Sequence, residues 1–370
     1  MTGLKVRQAE DLGPQFVKNP HRMVGQDGAF SISLDDGKAL WFFGDTLIGY
    51  RVPGDSLWYI NGFAVGADDM SGRGTIEQML TNTGLLLPDQ DAGTGLKNYR
   101  YILNEDGTLR SLVPLLADEH PSQIRVWCQH GVQLNGKLYL SFIKVEMIPQ
   151  SEVLGTNEKG EVLPVNFKVL GSGLAVGDAQ SWEFRRIYHN GSDILWGPDD
   201  PHFGSAIFPD FEEKMLYLYG VHLDQTDRIQ KCCLARVGFD DVENLAKYEY
   251  LMSHKPQWDP RVEEAITLFI EAPSEVSVSY NQHLGAYLAV HSWRTTEKIV
   301  GRTAPQLWGP WSEETVLWTA QIDQKPLPYP RMVYAGKEHP ELSRYNGKTI
   351  FITYIEFEEY YPHLVRLTLE

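Results

Sequence analysis

The 370-residue sequence is short of cysteine, of long apolar runs and of positive charge, and each shortage closes off a class of protein. Its three cysteines, Cys128 and the adjacent Cys232 and Cys233, make no even disulfide framework and no CxxC spacing for zinc, so they read as buried thiols. No apolar stretch approaches the roughly 18 residues of a membrane-spanning helix. The opening MTGLKVRQAEDLG lacks a basic segment followed by an apolar core. As written this points to the cytoplasm, and to secretion if the chain was trimmed from a longer precursor. Lys and Arg number 33 against 49 Asp and Glu, a net charge of −16. That charge repels a phosphate backbone and an anionic membrane surface, which argues against nucleic acid and lipid as partners and leaves a neutral ligand easier to hold. Helix-period runs are scarce as well: only 75–80 and 244–252 are expected to form helices, both short.

What the chain does have is strands, turns and aromatic residues. With 33 glycines, 21 prolines, 15 Phe, 10 Trp and 18 Tyr, the composition is that of a well-cored β protein. A loose unit recurs five times, an apolar segment, a tight polar turn and a more apolar strand, at 27–45, 130–144, 202–222, 275–293 and 340–357. The turns fall near Gly37, Gly136, Glu213, Gly285 and Gly347, with spacings that shrink from 99 to 62 residues. Segments such as GLAVGDAQSWEFRRI, KCCLARVGF, IVGRTAPQLWGPWSEETVLW and HLVRLTL supply outer strands. The expectation is one all-β domain over residues 1–370, a five-bladed β-propeller of four-stranded antiparallel blades around a central channel, with a long insertion at about 47–124 between the first two inner hairpins. Loops of that length are often functional.

The hairpin GQDGAFSISLDDGKALWFFGDT (25–46) carries the chemistry. Its Asp35-Asp36-Gly37 turn fits a three-residue loop closed by a left-handed glycine. Paired positions then sum to 72, so Phe30 opposes Phe42, Ser31 opposes Trp41, and Asp27 opposes Asp45. Directly opposed residues have Cβ atoms roughly 4.5–5.5 Å apart, and two carboxylates that close persist only if a metal, a proton, separate neutralisation or catalysis justifies them. Two carboxyl groups about 5 Å apart suit a retaining glycosidase, and roughly 6.5–9.5 Å apart an inverting one. Glu275 lies ten residues before Gly285, the offset of Asp27 from Gly37, and is expected at the matching strand start with Ser274 and Ser277 beside it. His130, His202, His339 and Glu341 precede their own turns and would help ring the channel mouth. Trp41, Trp127, Trp293 and Tyr334 could serve as flat platforms for sugar rings, with Gln26, Ser205 and Arg331 completing the candidate substrate-binding set.

These residues carry a resemblance. The elements Gly25-Gln26-Asp27-Gly28, Ser31 and Ser33, Asp36-Gly37 and Trp41-Phe42-Phe43-Gly44-Asp45-Thr46 resemble the N-terminal signature of the five-bladed propeller glycoside hydrolase family that includes the bacterial endo-D-arabinanases, formerly a domain of unknown function. Residues 302–313 and 339–354 are similar, more weakly, to later blade segments. The resemblance implies that Asp27 and Asp45 are an acid/base pair for furanoside hydrolysis with inversion, Asp27 as base and Asp45 as acid, and that Glu275 orients the sugar or tunes a partner. An oligosaccharide or polysaccharide substrate is implied, and no cofactor. Rival readings are a carbohydrate-binding propeller without catalysis, a sialidase, for which SLDDGKALW approaches a single Asp-box turn, and a phosphorolytic enzyme using Arg302 or Arg331 as an anion pocket. A metal held by His130, His202 and His339 with Asp27 or Glu341 is a weaker rival, because no HxH or HExxH spacing is present and no metal is expected.

Overall fold

In the computed structural model, residues 3–52, 56–60, 63–64, 75–148, 166–294, 296–322 and 331–370 are described. The architecture is all-β. Among the described residues there are five sheets of four or more strands, one of three strands and one two-stranded ribbon. The first large sheet runs Phe30–Ser33, Ala39–Phe43, Thr83–Leu87 and Arg100–Tyr101; the second runs Ile124–Leu134, Lys137–Met147, Phe167–Asp178 and Phe184–Arg186. The third starts with His202–Asp210, Met215–Leu223, Gln230–Gly238 and Glu249–Ser253, and departs from four strands by adding Gln257–Asp259 and the short Phe269–Ile270. The fourth holds Val276–Asn281, Ala286–Ser292, Lys298–Ala304 and Thr315–Thr319. In the fifth, Val333–Glu338, Thr349–Glu356 and Pro362–Leu369 are completed by Val6–Pro14 from the other end of the chain.

Five apolar clusters lie between these sheets. Ile32, Leu40 and Phe42 of the first pack on Val126, Leu138 and Phe142 of the second. Leu174 and Val176 meet Phe203 and Leu218, Tyr219 and Leu234 meet Val278 and Ala289, and Val290 and Ile299 meet Ile350 and Ile352. A further cluster joins Phe351 and Leu364 of the fifth sheet to Trp41 and Leu85 of the first, so the sheets succeed one another around a ring. The first strands run in one direction. Asp27 meets Tyr334, Gly28 meets Lys337 and Ser31 meets His339 between the first and fifth sheets, and Gln129 meets Ser205 and His130 meets Ile207 between the second and third, orders that ascend in both segments. The strand starts therefore lie at one end of the ring and the hairpin turns at the other. Cys128, Cys232 and Cys233 are free and buried in these clusters, and burial pushes the Cys128 thiol up to about 12.

The first hairpin has the expected register, Phe30 on Phe42, Ser31 on Trp41 and Ile32 on Leu40. Gly37 takes φ +81° and its N–H donates to the Leu34 carbonyl. Three expectations need correction. Residues 76–80 form a strand paired with Thr46–Gly49, not a helix. A bulge at Glu77 shifts the alternation by one, placing Ile76 and Met79 both in the core at helix-like spacing. The stretch 244–252 is a 3-10 turn, Leu245–Lys247, capped by the Asn244 side chain, followed by a strand. In the fifth unit the inner strand is Val333–Glu338, earlier than the quoted 340–357, whose first residues form the 3-10 turn Pro340–Leu342. Of the segment 47–124, Thr83–Leu87 and Arg100–Tyr101 complete the first sheet, while residues 53–55, 61–62 and 65–74 lie outside the described residues.

Candidate active site

The site grows from backbone irregularities at the strand starts. The Asp27 N–H donates to the Asp45 carbonyl at 3.2 Å and the Gly44 N–H to the Asp27 carbonyl at 3.0 Å, so the two aspartates meet as the hairpin register requires. A Cβ on Gly44 would stand 2.5 Å from Asp27 Oδ1, and one on Gly25 would stand 2.9 Å from the Tyr360 ring. Two glycines of the signature thus clear the space that the carboxyl and the tyrosine occupy. Tyr360 and Tyr334 both donate to Asp27 Oδ2, at 2.9 and 3.1 Å. Asp45 is only 2% exposed and stands 3.3 Å from Nε of Arg125, itself 1% exposed. This is a close ion pair, buried on both sides. Trp127, half-buried against the edge of Phe167, flanks Gly44.

The electrostatics separate the two acids. Burial, the Asp45 charge and Glu275 push Asp27 up to about 8, against the hydroxyls of Tyr360 and Tyr334. Burial also raises Asp45, but the Arg125 cation and the Trp127 indole oppose it. Asp27 is therefore the acid that keeps its proton at neutral pH, and Asp45 the one with a permanent cation beside it.

Lys337 lies beside the turn that carries Asp27. A bulge at Ala335-Gly336 lets Tyr334 and Lys337 point to the same side of a strand that would otherwise turn them apart. The Lys337 ammonium donates to the carbonyls of Gly28 and Ala335 and sits 4.2 Å from the centre of the Phe30 ring. Burial lowers it to about 7, with Glu275 and Asp27 pulling it back up. It ties the turn that carries Asp27 to the strand that carries Tyr334. Replacing Lys337 with Met should destabilise the fold by about 1–3 kcal/mol, because the Gly28 and Ala335 carbonyls lose the buried donor they accept from. Urea denaturation of Lys337→Met and Lys337→Arg checks it, and an unchanged stability in both would remove the role of this tie.

The other expected residues separate into groups. Glu275, held by the Ser274 hydroxyl at 3.0 Å, precedes its strand as expected and acts electrostatically on Asp27, Tyr334 and Lys337. Gln26 turns to the Tyr101 hydroxyl at 3.0 Å and is fully buried. Trp41 is core, stacked on His339 at 4.2 Å. His339 joins Ser31 at 2.5 Å and Thr353 at 2.7 Å, while Glu341 accepts from the same Ser31. His339 and Glu341 follow their strand instead of preceding it, so they lie past the Asp27 end, toward the turns. His130 sits at a bulge midway along its strand, accepting the Ile207 N–H, and burial lowers it to about 4. His202 begins its strand beside His222 and Asp200, and its carbonyl accepts from the buried Ser205. The three histidines do not gather, and among the described residues no group of three or more His, Cys, Asp or Glu is placed to hold a metal. Trp293 lies against Arg294 and Arg302. Arg302 binds the Ser312 and Ile270 carbonyls and Glu314, and Arg331 binds Glu356, so both are engaged where a phosphate pocket would need them open.

Arg125, Lys337 and Tyr360 escaped the sequence reading. Arg125 in IRVWC and Lys337 in VYAGKE are lone cations that follow apolar residues in short strand-like segments, which is a readable signal; Tyr360 has none, since its contact with Asp27 spans 333 residues.

Among curated protein sequences none matches this chain. Several solved structures do. A Bacteroides ovatus protein provisionally described as a hydrolase aligns over 95% of this chain and 87% of its own at 16% identity with a TM-score of 0.62, and so shares the fold. A GH43 β-xylosidase/α-arabinofuranosidase from a compost microbial metagenome (14% identity, 99% and 95% covered, TM-score 0.47) and an endo-arabinase from Bacteroides thetaiotaomicron (13%, 95% and 96%, 0.47) align more loosely. Residues 17–366 match the model described as Domain of unknown function (DUF4185), and the chain belongs to that family.

Proposed function

We propose that this protein is a glycoside hydrolase, that its five large sheets are the blades of a five-bladed β-propeller, and that it cleaves furanosidic, arabinan-like or related linkages at the strand-start end of the channel. The observation that carries the reading is the Asp27–Asp45 pair: two acids facing each other across one hairpin, one protonated at neutral pH by burial and repulsion, the other beside a buried arginine. Environments that drive two carboxyl groups apart assign their roles. In this reading Asp27, the partly exposed member, donates its proton to the leaving glycosidic oxygen. Asp45 removes a proton from the water that attacks the anomeric carbon, a task that needs access for one small molecule. These roles reverse those implied by the family resemblance alone. Glu275 holds the Asp27 proton in place by its charge. Tyr334 and Trp127, both partly exposed, form the walls against which a sugar would rest, and the buried Tyr360 holds Asp27 from behind.

The test is a panel of D-arabinan, L-arabinan and xylan with their oligosaccharides, assayed for new reducing ends, with the first-formed anomer followed by proton NMR. Hydrolysis with inversion is expected. Binding without any cleavage across the panel would favour the carbohydrate-binding reading, and cleavage that requires added phosphate the phosphorolytic one.

A further inference from the structure

At the turn end of the ring, away from Asp27, aromatic side chains are presented to solvent in a row. Tyr345 is 80% exposed, at the tip of the hairpin turn that follows Val333–Glu338. It is held there in the left-handed region (φ +56°), followed by Asn346 (+58°) and Gly347 (+86°). That conformation suits glycine or asparagine and is strained for a bulky side chain. Strain of this kind at an exposed aromatic points to use. Two hollows, of about 400 and 420 Å³, share Arg344 and Tyr345 in their walls, so Tyr345 stands on the ridge between them. Tyr280, half exposed, lines the first hollow and packs edge-on against Tyr287 at 5.1 Å. Tyr287 in turn lines a third hollow of about 600 Å³ together with Trp258 and Trp308. The first two hollows thus join at Tyr345, and the Tyr280–Tyr287 contact links the first to the third, a path from the fifth sheet past the fourth to the third.

The chemistry of the path selects its ligand. The path offers flat aromatic faces beside hydroxyls and amides, Ser279, Asn281, Gln282, Ser343 and Asn346 in the first hollow. Glu338 and Arg344 also stand there, while Asp210, Glu213 and Arg236 line the third. The charges present are of mixed sign, Arg344 and Arg366 against Glu10 and Asp91 in the second hollow, and the protein carries −16 overall. An anionic ligand gains nothing there. A neutral polyhydroxylated chain, with apolar ring faces and hydrogen-bonding edges, matches both kinds of surface.

We infer that this path is a second glycan-binding surface, which holds a polysaccharide on the face opposite the hydrolytic centre. The inference rests on the glycosidase reading for the class of ligand but not for its evidence. Native affinity electrophoresis of the full chain carrying Asp27→Asn, in gels cast with D-arabinan, L-arabinan or xylan, tests it. Retardation by at least one polymer is expected, and adding Tyr280→Ala with Tyr345→Ala should weaken it at least about tenfold. Tyr345→Gly should also weaken it while leaving the melting temperature equal or higher, since glycine relieves the turn. In the otherwise unaltered protein the same tyrosine changes should leave hydrolysis of short soluble oligosaccharides unchanged. No retardation by any polymer, or retardation indifferent to both tyrosines, overturns the surface even if the enzyme is active. Loss of retardation in the variants of a protein that hydrolyses nothing would keep the surface and remove the hydrolase.

Discussion

Asp27→Asn is expected to lower kcat/KM by about 10²–10⁴-fold, the usual contribution of a general acid, and to gain stability relative to the parent as the pH rises. The second half of this result follows from the same burial as the first. In the unfolded chain an aspartate loses its proton near its ordinary value of 3.8, whereas the folded Asp27 keeps it to about 8. Between those pH values the folded state binds the extra proton, so stability falls as pH rises, by up to about 1.4 kcal/mol per pH unit. The favourable contribution is complete below pH 4 and gone above pH 8. Water reaching the partly exposed carboxyl reduces the total to about a few kcal/mol. Asparagine cannot ionise and escapes this slope. The stability difference between variant and parent, measured by urea denaturation, should therefore widen from pH 5 to pH 8 and then level off. A difference independent of pH would mean that Asp27 is an ordinary carboxylate, and the acid would have to be sought in Glu275.

Much of this site could be read from one hairpin because its register is a local matter. The Asp35-Asp36-Gly37 turn sets the pairing as far as Phe30 on Phe42, and the same count continues through the irregular Gly28-Ala29 step to Asp27 against Asp45. The five recurring units were legible for the same reason, since each is a strand, a turn and a strand. Ring closure was not. Val6–Pro14, reading VRQAEDLGP, is polar and largely exposed, so it lacks the apolar alternation by which strands are recognised; it is a strand because Pro362–Leu369 needs an edge partner.

Bulges account for most of what was misplaced. Extra residues at Gln129-His130, Gly204-Ser205 and Ala335-Gly336 break the period of two in three inner strands, so counting back from a turn puts a side chain at the wrong height. The fourth strand, Val276–Asn281, is regular throughout, and there the count succeeded: Glu275 stands where its offset from Gly285 placed it. His339 and Glu341 were displaced to the far end by the same arithmetic, and their partners, Ser31 and Thr353, are structural hydrogen bonds. Trp41 was misjudged for another reason. An aromatic residue in a strand serves the core or the channel according to which neighbour it meets, and Trp41 meets the His339 ring and Phe16.

Arg125→Met should produce the largest loss of stability of any single change in the site, about 3–5 kcal/mol near neutral pH. The argument is one of unpaired charge. Asp45 is 2% exposed, and burial already raises its pKa; the Arg125 cation at 3.3 Å is the chief force keeping it ionised. Without that cation the protein must either bury a bare carboxylate or protonate it, and a protonated Asp45 can no longer take a proton from water. Activity should fall as far as in Asp45→Asn, and the acid limb of any remaining pH–rate profile should move to higher pH. Arg125→Lys should recover part of the stability, since it restores a charge without the planar guanidinium. The decisive measurement is the double variant. If the cost of Arg125→Met comes from the stranded carboxylate, then adding Asp45→Asn should make the protein more stable than Arg125→Met alone, a coupling that urea denaturation of the four proteins would measure directly. If the two losses simply add, Arg125 contributes through packing against Met79, which accepts from it at 3.1 Å, and the ionised state of Asp45 needs another source.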